Sequence, residues 1–386
     1  MDKPSPVPTD TDVLIVGAGP TGLTLAAALL ARGVRACIID RQPAGANTSR
    51  AAVIHARTLE VLEPLGVSDA LVALGVHAHR FTIRDRDRVL VPIGFADLPT
   101  RYPYTLMVSQ AVTEQVLLQR LVALGGQVLR PLQLAMLRQD AQGVNAQLCD
   151  GRTLRARYLI GCDGMHSAVR TGTGIGFAGG SYGESFLLAD VRLSGGVPTD
   201  EVILYFSPRG MAVVAPLPDG VHRIVAPVDD APEKPDARFV QDLLDERGPV
   251  RQPVRVLGEP VWGSRFRVHH RIADRYRAGR VVLAGDAAHV HSPAGGQGMN
   301  MGILDAMRLA DALVQALAGD EDALDRYAGE RRPVAGQVVA LADRLTRLAT
   351  VPPALRGLRN LVLRTAALMP AMRRNLAWRL SGLVYR

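Results

Sequence analysis

Branched apolar residues crowd Val13-Leu-Ile-Val16, the pattern of a parallel strand buried on both faces. Gly17-Ala-Gly-Pro-Thr-Gly22 follows, then a helical run from Leu23 to Arg32 that stops at Gly33, a residue suited to the left-handed step after a helix. Ala36-Cys-Ile-Ile39 is a second strand, closed by Asp40. Together these predict a β-α-β unit at the start of the chain. Val13 to Ala31 carries no charge and approaches the length of a membrane span. Gly17, Gly19, Pro20 and Gly22 interrupt it, and the leader Met1–Asp12 is proline-rich and acidic, unlike the basic start of a signal peptide. Strand, turn and helix account for the segment.

Thr58 to Leu65 has helical spacing up to Gly66, and from His79 to Pro92 the pattern shortens to strands and turns. Thr113 to Leu124 predicts a helix stopped by Gly125-Gly126, and Val128 to Ala146 and Thr153 to Ile160 predict further strands. Runs such as Val202-Ile-Leu-Tyr-Phe206 and Met211-Ala-Val-Val214, punctuated by Pro and Gly, predict an antiparallel sheet between Glu184 and Arg267. Arg280-Val-Val-Leu-Ala284 is another buried strand. A glycine-rich loop and a helix from about Gly298 to Leu317 follow it, and the remainder is helical and arginine-rich. Pieces of β-α-β pattern separated by sheet pieces predict two interleaved domains.

Composition changes this picture little. A chain of 386 residues has room for two or three domains, and 48% hydrophobic with 21% charged residues excludes a disordered or collagen-like chain. Three scattered cysteines, Cys37, Cys149 and Cys162, exclude a disulfide framework and a cysteine-based zinc knuckle, and fit a reducing, cytoplasmic setting. The net charge of +8 rests on arginine, since Lys3 and Lys234 are the only lysines. No basic stripe is interleaved with aromatics, so the charge is not read as nucleic-acid binding.

Gly17-x-Gly19-x-x-Gly22 stands between strand and helix. In such a loop the first glycine makes the tight turn, the second lets a pyrophosphate approach the backbone, and the third packs helix against strand. The helix start offers free N–H groups to the phosphates. Asp40, ending the next strand, is placed to accept ribose hydroxyls. An acid there disfavours a 2′-phosphate, so NADP is not expected at this site, while FAD and NAD stay open on this motif alone. Gly174-x-Gly176-x-x-Gly179 has the same spacing but neither a preceding strand nor a clear following helix, and reads as a loop.

The stretch Arg280 to Asn300 contains Gly285-Asp286, Pro293 and Gly295-Gly-Gln-Gly298-Met-Asn300. Asp286 is suited to a polyol hydroxyl, and the backbone N–H groups near Gly298–Asn300 sit at a helix start, where they favour electron-rich oxygens. A second β-α crossover far along the chain suits a long, two-ended cofactor. Tyr158-Leu-Ile-Gly-Cys-Asp163-Gly164-Met-His-Ser167-Ala-Val-Arg170 is a third motif. Together the three resemble the class A flavoprotein monooxygenases, the p-hydroxybenzoate hydroxylase fold. Arg50-Ala51, His55 to Glu60, and Gln110 also stand where that family's flavin contacts fall. The resemblance covers roughly residues 10 to 345.

The resemblance implies an α/β fold. A Rossmann-like FAD-binding domain (1–78, 105–180 and 271–345) would be interleaved with an antiparallel β-sheet substrate domain (79–104 and 181–270), with a C-terminal helical segment over 346–386. It implies non-covalent FAD, with the pyrophosphate on Gly17, Ala18, Gly19, Pro20, Thr21 and Gly22. Asp40 and Arg41 would lie at the adenosine ribose, and Leu134 near the adenine. Arg50 and Gln110 would touch the pyrophosphate–ribityl region, and Gly285 and Asp286 the ribityl chain. Pro293, Gly295, Gly296, Gln297, Gly298, Met299 and Asn300 would border the isoalloxazine. Asp163 would be linked to FAD indirectly and to the nicotinamide nucleotide transiently. The plain alternative is a structural turn with Arg170 paired to a nearby acid.

NADH or NADPH is implied as a transient co-substrate. O2 would react to a flavin C4a-hydroperoxide that hydroxylates an aromatic, phenolic or polyketide-like molecule. Epoxidation, Baeyer–Villiger insertion and antibiotic-inactivating oxygenation on the same fold stay open, as does a non-catalytic flavin protein. The phenol-hydroxylase-like branch continues with Asn-Leu and a Trp-Lys-Leu element where this chain has Arg308-Leu-Ala-Asp311-Ala-Leu. That branch usually adds a thioredoxin-like domain, for which this chain is too short, so monomer and homodimer both stay open.

No catalytic side chain is assigned. Tyr205, Met211 and His222 are expected on strands facing the flavin domain, as pocket candidates beside Pro293, with Arg209 attracting an acidic or phenolate group. His289 and His291 lack further ligands at metal spacing and read as packed loop histidines, so no metal is expected. Trp262, Phe266, His269 and His270 are expected at the domain interface. The basic, amphipathic stretches Leu355–Arg364 and Met372–Leu380 read as helices covering the core with arginines in water, rather than resting on an anionic membrane.

Overall fold

The computed structural model describes residues 9–45, 51–229, 231–292, 295–349 and 351–386. β1 (Asp10–Val16) leads into α1 (Pro20–Ala31) and β2 (Ala36–Ile39). Pro20 opens the helix, where its missing N–H is no loss, and Gly33 turns the chain away at φ 75°. β3 (Val53–Ile54), α2 (Ala56–Leu62), α3 (Ser68–Leu74) and β4 (Val76–Ala78) follow. Then come the hairpin β5 (Arg80–Asp85) and β6 (Arg88–Gly94) and the short β7 (Thr105–Met107). α4 (Gln110–Ala123) starts three residues earlier than apolar spacing indicates, because Ser109 caps it by accepting the Val112 N–H.

β8 (Val128–Leu129), β9 (Leu134–Gln139), β10 (Val144–Leu148) and β11 (Thr153–Gly161) precede the short α5 (Ala168–Gly172). β12 (Phe177–Ser194), β13 (Glu201–Ser207), β14 (Gly210–Pro216) and β15 (Val221–Val228) run up to α6 (Ala237–Arg247), and β16 (Arg255–Ala273) returns. β17 (Arg277–Ala278), β18 (Val281–Leu283) and β19 (His289–Val290) lead to α7 (Gly298–Leu317) and α8 (Asp322–Ala349). α9 (Arg356–Ala367) and α10 (Pro370–Leu380) close the chain.

One sheet has the order β17-β18-β11-β1-β2-β8, with β10 and β9 attached to β11. β1 lies between β11 and β2, parallel to both, which explains its unbroken apolar run. A second sheet has the order β19-β16-β12-β15-β14-β13-β5-β6. All pairings within the stretch 184–267 are antiparallel as expected; β5, from the first part of the chain, joins β13 in parallel. β5 reaches this sheet from the first part of the chain rather than through a hairpin with β13, so no turn forces it to run the other way. The long antiparallel pair β12 and β16 carries the chain between the two bodies. Among the described residues no helix is long and apolar enough to cross a membrane.

Each face of the second sheet has its own cover. Ile203, Tyr205, Ala212 and Ile224 pack under Val240, Leu243 and Leu244 of α6. On the opposite face Val202, Ala215 and Leu217 meet Ala52, Ala78 and Met107 of the first body. Further along that face Phe206 and Met211 meet Ala367 of α9 and Ala377 of α10.

Candidate FAD site

Three loops converge at the carboxyl ends of the parallel strands. Gly17 stands at φ 104°, and a Cβ there would lie 2.3 Å from the Cys162 carbonyl oxygen at the end of β11. A Cβ on Gly22 would lie 1.9 Å from the Gly17 carbonyl oxygen. Both positions therefore exclude any side chain. Gly19 is different: nothing stands within 4 Å of its would-be Cβ, so this backbone faces open space. Asp40 spans the loop, accepting the Ala18 N–H on Oδ2 (2.6 Å) and the Gln42 N–H on Oδ1 (2.7 Å). Each carboxylate oxygen keeps a lone pair for a hydroxyl. This open glycine cradle above a helix start, with an acid at its rim, fits a dinucleotide.

Leu134 is buried at the start of β9, beside the Leu132 N–H that Asp40 O accepts (2.7 Å), while Arg41 is exposed. Gln110 opens α4 and accepts the Ala51 N–H on Oε1 (3.2 Å), while its own N–H donates to Ala51 O (3.0 Å). It thus fixes the backbone next to Arg50. Arg50 itself, and Pro293, lie outside the described residues. Two arginines that sequence reasoning missed also reach this region. Arg130 donates to Ala18 O (3.4 Å), and Arg223 of the second sheet donates to Ala51 O (3.1 Å) while doubly bonded to the buried Asp190. Neither sits in a motif, so only folding brings them there.

The Gly285 turn is wedged against the first loop. Thr21 Oγ1 would stand 2.5 Å from a Cβ on Gly285 and 2.3 Å from one on Gly302, so α1 meets the Gly285 turn and α7 through one glycine each. Asp286 is exposed between buried Gly285 and Ala287. The turn is held from below by Asp305, whose Oδ2 accepts from His289 Nε2 (2.7 Å) and the Gly285 N–H (3.3 Å) and whose Oδ1 accepts from Arg331 Nε (2.6 Å). Burial opposes the Asp305 charge, but the Arg331 guanidinium and His289 outweigh it and hold the carboxyl below its usual range. His289 is therefore a packed loop histidine with an identified partner. Among the described residues no group of His, Cys, Asp or Glu suits a metal.

Asp163 accepts Ser167 Oγ–H (2.5 Å) and the Val169 N–H (3.2 Å), which organises the start of α5. Burial pushes its carboxyl up, against the pull of those donors. Arg170 does not pair with an acid, as the plain alternative would have it. It donates to Ala287 O (2.9 Å) and Met165 O (2.8 Å) and covers the Phe177 ring at 3.8 Å, so it ties the Asp163 motif to the Gly285 turn. The decoy glycine motif runs from the end of α5 into β12, with a Cβ on Gly176 blocked by Asp274 at 2.0 Å.

At the start of α7 the Asn300 side chain is fully engaged. Its Oδ1 accepts the His55 N–H (2.8 Å), and its Nδ2 donates to Val53 O (2.9 Å) and Gly296 O (2.8 Å). Any ligand at this edge meets its backbone. His55 Nε2 lies 3.0 Å from Gly295 O, which fixes the tautomer protonated there. His55 Nδ1, Gln297 Nε2 and His291 Nε2 are buried with no protein partner, the condition of polar atoms awaiting a ligand or water. Burial lowers both histidines to about 4, so they are neutral. Gly298 has open space at its Cβ position, and Met299 packs partly against the main core.

The pleat separates the pocket candidates. Tyr205 packs beneath α6, and His222 shares the parity of Ile224 and Ala226 on that same covered face, turned from the first body. Met211 lies on the opposite face with Phe206. Arg209 is exposed in the β13–β14 turn, at the end of the sheet away from the Ala52–Val202 seam. Leu380 of α10, which motif reading missed, packs with the Met211 group and lies 3.9 Å from a would-be Cβ on Gly295. Trp262 of β16 sits beside Arg223, 5.4 Å from its guanidinium.

Comparison with known proteins agrees with this geometry. The chain is 42% identical over 357 residues to 6-methylpretetramide 4-monooxygenase of Streptomyces rimosus, covering 89% of this chain and 62% of that protein. It is 38% identical over 340 residues to pentachlorophenol 4-monooxygenase of Sphingobium chlorophenolicum, covering 86% and 63%. This chain thus spans somewhat under two thirds of the length of these two relatives. The crystal structure of p-nitrophenol 4-monooxygenase from Pseudomonas putida superposes with a TM-score of 0.85 at 26% identity, covering 97% of this chain and 99% of that one. With the family model for an FAD binding domain matching residues 10–342, the chain belongs to that family, and its cofactor is FAD.

Proposed function

We propose that the protein is an FAD-dependent monooxygenase that uses NADH or NADPH and O2 to hydroxylate an aromatic, phenolic or polyketide-like molecule. The observation that carries this reading is the contact between the pyrophosphate loop and the Gly285 turn through Thr21, beside an apolar seam with a second sheet. Such a site holds a two-ended cofactor with one end facing a dry, adaptable surface. The similarity to enzymes named as monooxygenases of aromatic compounds supports the same reading.

Bound and reduced FAD supplies the activation of O2; the chain supplies position and environment. The Gly17–Gly22 backbone and the start of α1 bind the pyrophosphate, and Asp40 orients the ribose. Asp286 meets the ribityl hydroxyls. The start of α7 presents N–H groups to the electron-rich edge of the ring system. Neutral His55 keeps its proton on Nε2 against Gly295 O and so sets the shape of that loop. The apolar seam where Val202, Ala215 and Leu217 meet Ala52 and Met107 excludes water beside the flavin end, and the aromatic substrate approaches there by apolar contact. Asp163 meets the nicotinamide nucleotide transiently.

The test is to purify the protein, record its visible spectrum, and follow NADH and NADPH oxidation with phenolic and polycyclic compounds. A yellow protein whose oxidation rate rises with one compound, giving a product one oxygen atom heavier, is expected. A protein that takes up no FAD overturns the reading. A yellow protein that never oxidises either nucleotide removes the enzymatic part of it.

A further inference from the structure

α9 is built inside out. Its sheet-facing side carries polar groups: Arg359 is buried over the Phe206 ring at 4.3 Å, and Asn360 donates to Asp85 Oδ2 (2.7 Å). Arg356 donates to Pro208 O (2.8 Å). Leu363 and Ala367 complete this inner side against β5, β6 and β14. The outer side carries leucines instead. Leu358, Leu361 and Val362 are more than half exposed, as are Leu355 just before the helix and Leu368 and Met369 just after it. Leu368 is 78% exposed. The i, i+3/i+4 spacing of these residues makes one stripe roughly 20 Å long. A groove of about 240 Å³ beside it, lined by Leu348, Val351, Leu355 and Val362, continues the apolar surface toward the end of α8.

Charge gives the second observation. Residues 344–386 contain nine arginines and no acidic residue, while the whole chain has a net charge of +8. The rest of the chain is therefore close to neutral, and the excess positive charge belongs to the segment that carries the stripe. Arg364, Arg374 and Arg379 of this segment are exposed. A second copy of the chain would bring the same cationic segment against itself, which like charges oppose. An apolar stripe with an exposed arginine on its own helix and two more on the next matches an anionic bilayer, where leucines enter the headgroup boundary and guanidinium groups meet phosphates.

We propose that α9 and α10 form a docking surface for an anionic lipid bilayer, on which the protein lies without crossing it. This is independent of the reaction proposed above. Its fixed point is Leu380, which links the docking segment to the Gly295 loop, so a docked protein carries that loop close to the lipid.

The experiment is vesicle flotation of the FAD-loaded protein. Vesicles of phosphatidylcholine alone are compared with equal parts phosphatidylcholine and phosphatidylglycerol, at low and high salt, with light scattering on the free protein. The expected result is flotation with the anionic vesicles only, weakened by salt. In Leu358→Ser/Leu361→Ser it should fall at least about tenfold while FAD absorbance is unchanged. These residues are exposed, so the variant keeps its core. Failure to float with anionic vesicles overturns the proposal, as does equal flotation of the variant. A dimer of the parent that the variant abolishes also overturns it, and assigns the stripe to a second copy. None of these outcomes bears on FAD binding or oxygenation, which the spectrum and the nucleotide assay read separately.

Discussion

Gly302→Ala is the most discriminating test of how the two halves of the FAD site are joined. Gly302 lies inside α7, where alanine is ordinarily favoured over glycine by about 1 kcal/mol. Here the added Cβ would stand 2.3 Å from Thr21 Oγ1 and 3.4 Å from Gly285 Cα. Ordinary contact begins near 3.4 Å, so α1 and α7 must part by about 1 Å or Thr21 must leave its rotamer. Overpacking of this kind costs roughly 1–3 kcal/mol, so the net change in apoprotein stability is small, about 0–2 kcal/mol. The larger effect falls on the cofactor, because the start of α1 is proposed to meet the pyrophosphate and the start of α7 the flavin ring. A ligand touching both loses contacts at one end, and a tenfold weaker FAD corresponds to about 1.4 kcal/mol.

Thr21→Ala removes the offending oxygen and leaves a Cβ 3.6 Å from the new methyl group. The double variant should therefore recover most of the affinity that Gly302→Ala loses. The assay is fluorescence titration of apoprotein with FAD for the four members of the cycle, with thermal midpoints beside it. If Gly302→Ala binds FAD as the parent does, or if Thr21→Ala gives no recovery, the reasoning is refuted.

Further outcomes are expected. Asp305→Asn leaves Arg331 and His289 buried without their carboxylate, which should cost about 3–5 kcal/mol; adding Arg331→Met should restore part of it, read as denaturation midpoints. Stability should depend on pH through His55 and His291. Their folded values near 4 lie below the ordinary 6.5, so between these pH values the unfolded chain binds protons that the folded chain does not. Stability then falls as pH drops from 6.5 toward 4, by about 1.4 kcal/mol per pH unit for each histidine. A thermal midpoint equally pH-dependent in His55→Gln would refute the assignment to His55. Asp40→Ala frees the Ala18 N–H and loses the ribose acceptor, so FAD affinity should fall about ten- to hundredfold, corresponding to roughly 1.4–2.7 kcal/mol, with little change in the far-ultraviolet spectrum.

The local parts of the FAD site were legible in the sequence because each is a short-range constraint. Gly22 must be glycine because a Cβ there would meet the Gly17 carbonyl within the same turn, and Asp40 directly follows β2, the strand beside β1, which puts its carboxylate on the Ala18 N–H. The apolar run of β1 reported burial between two parallel neighbours. Periodicity also located most helices, with Ser109 shifting one start through a cap.

What the sequence could not supply depends on pairs distant along the chain. The fit of Thr21 between Gly285 and Gly302, and the reach of Arg170 to Ala287, belong to no local pattern. The pleat decided that Tyr205 and His222 turn under α6 while Met211 turns to the other face. A one-residue difference in parity moves a side chain across the sheet. Hairpin geometry placed Arg209 at an exposed tip. The amphipathic pattern of α9 was visible as a pattern, yet which side met the sheet was decided by tertiary packing. Arg359 and Asn360 found partners in Phe206 and Asp85, and that orientation turned the leucines outward. Sequence determined which short segments form the glycine cradle and its acidic rim; the tertiary structure determined which side chains surround it, because those contacts depend on the orientation of whole elements.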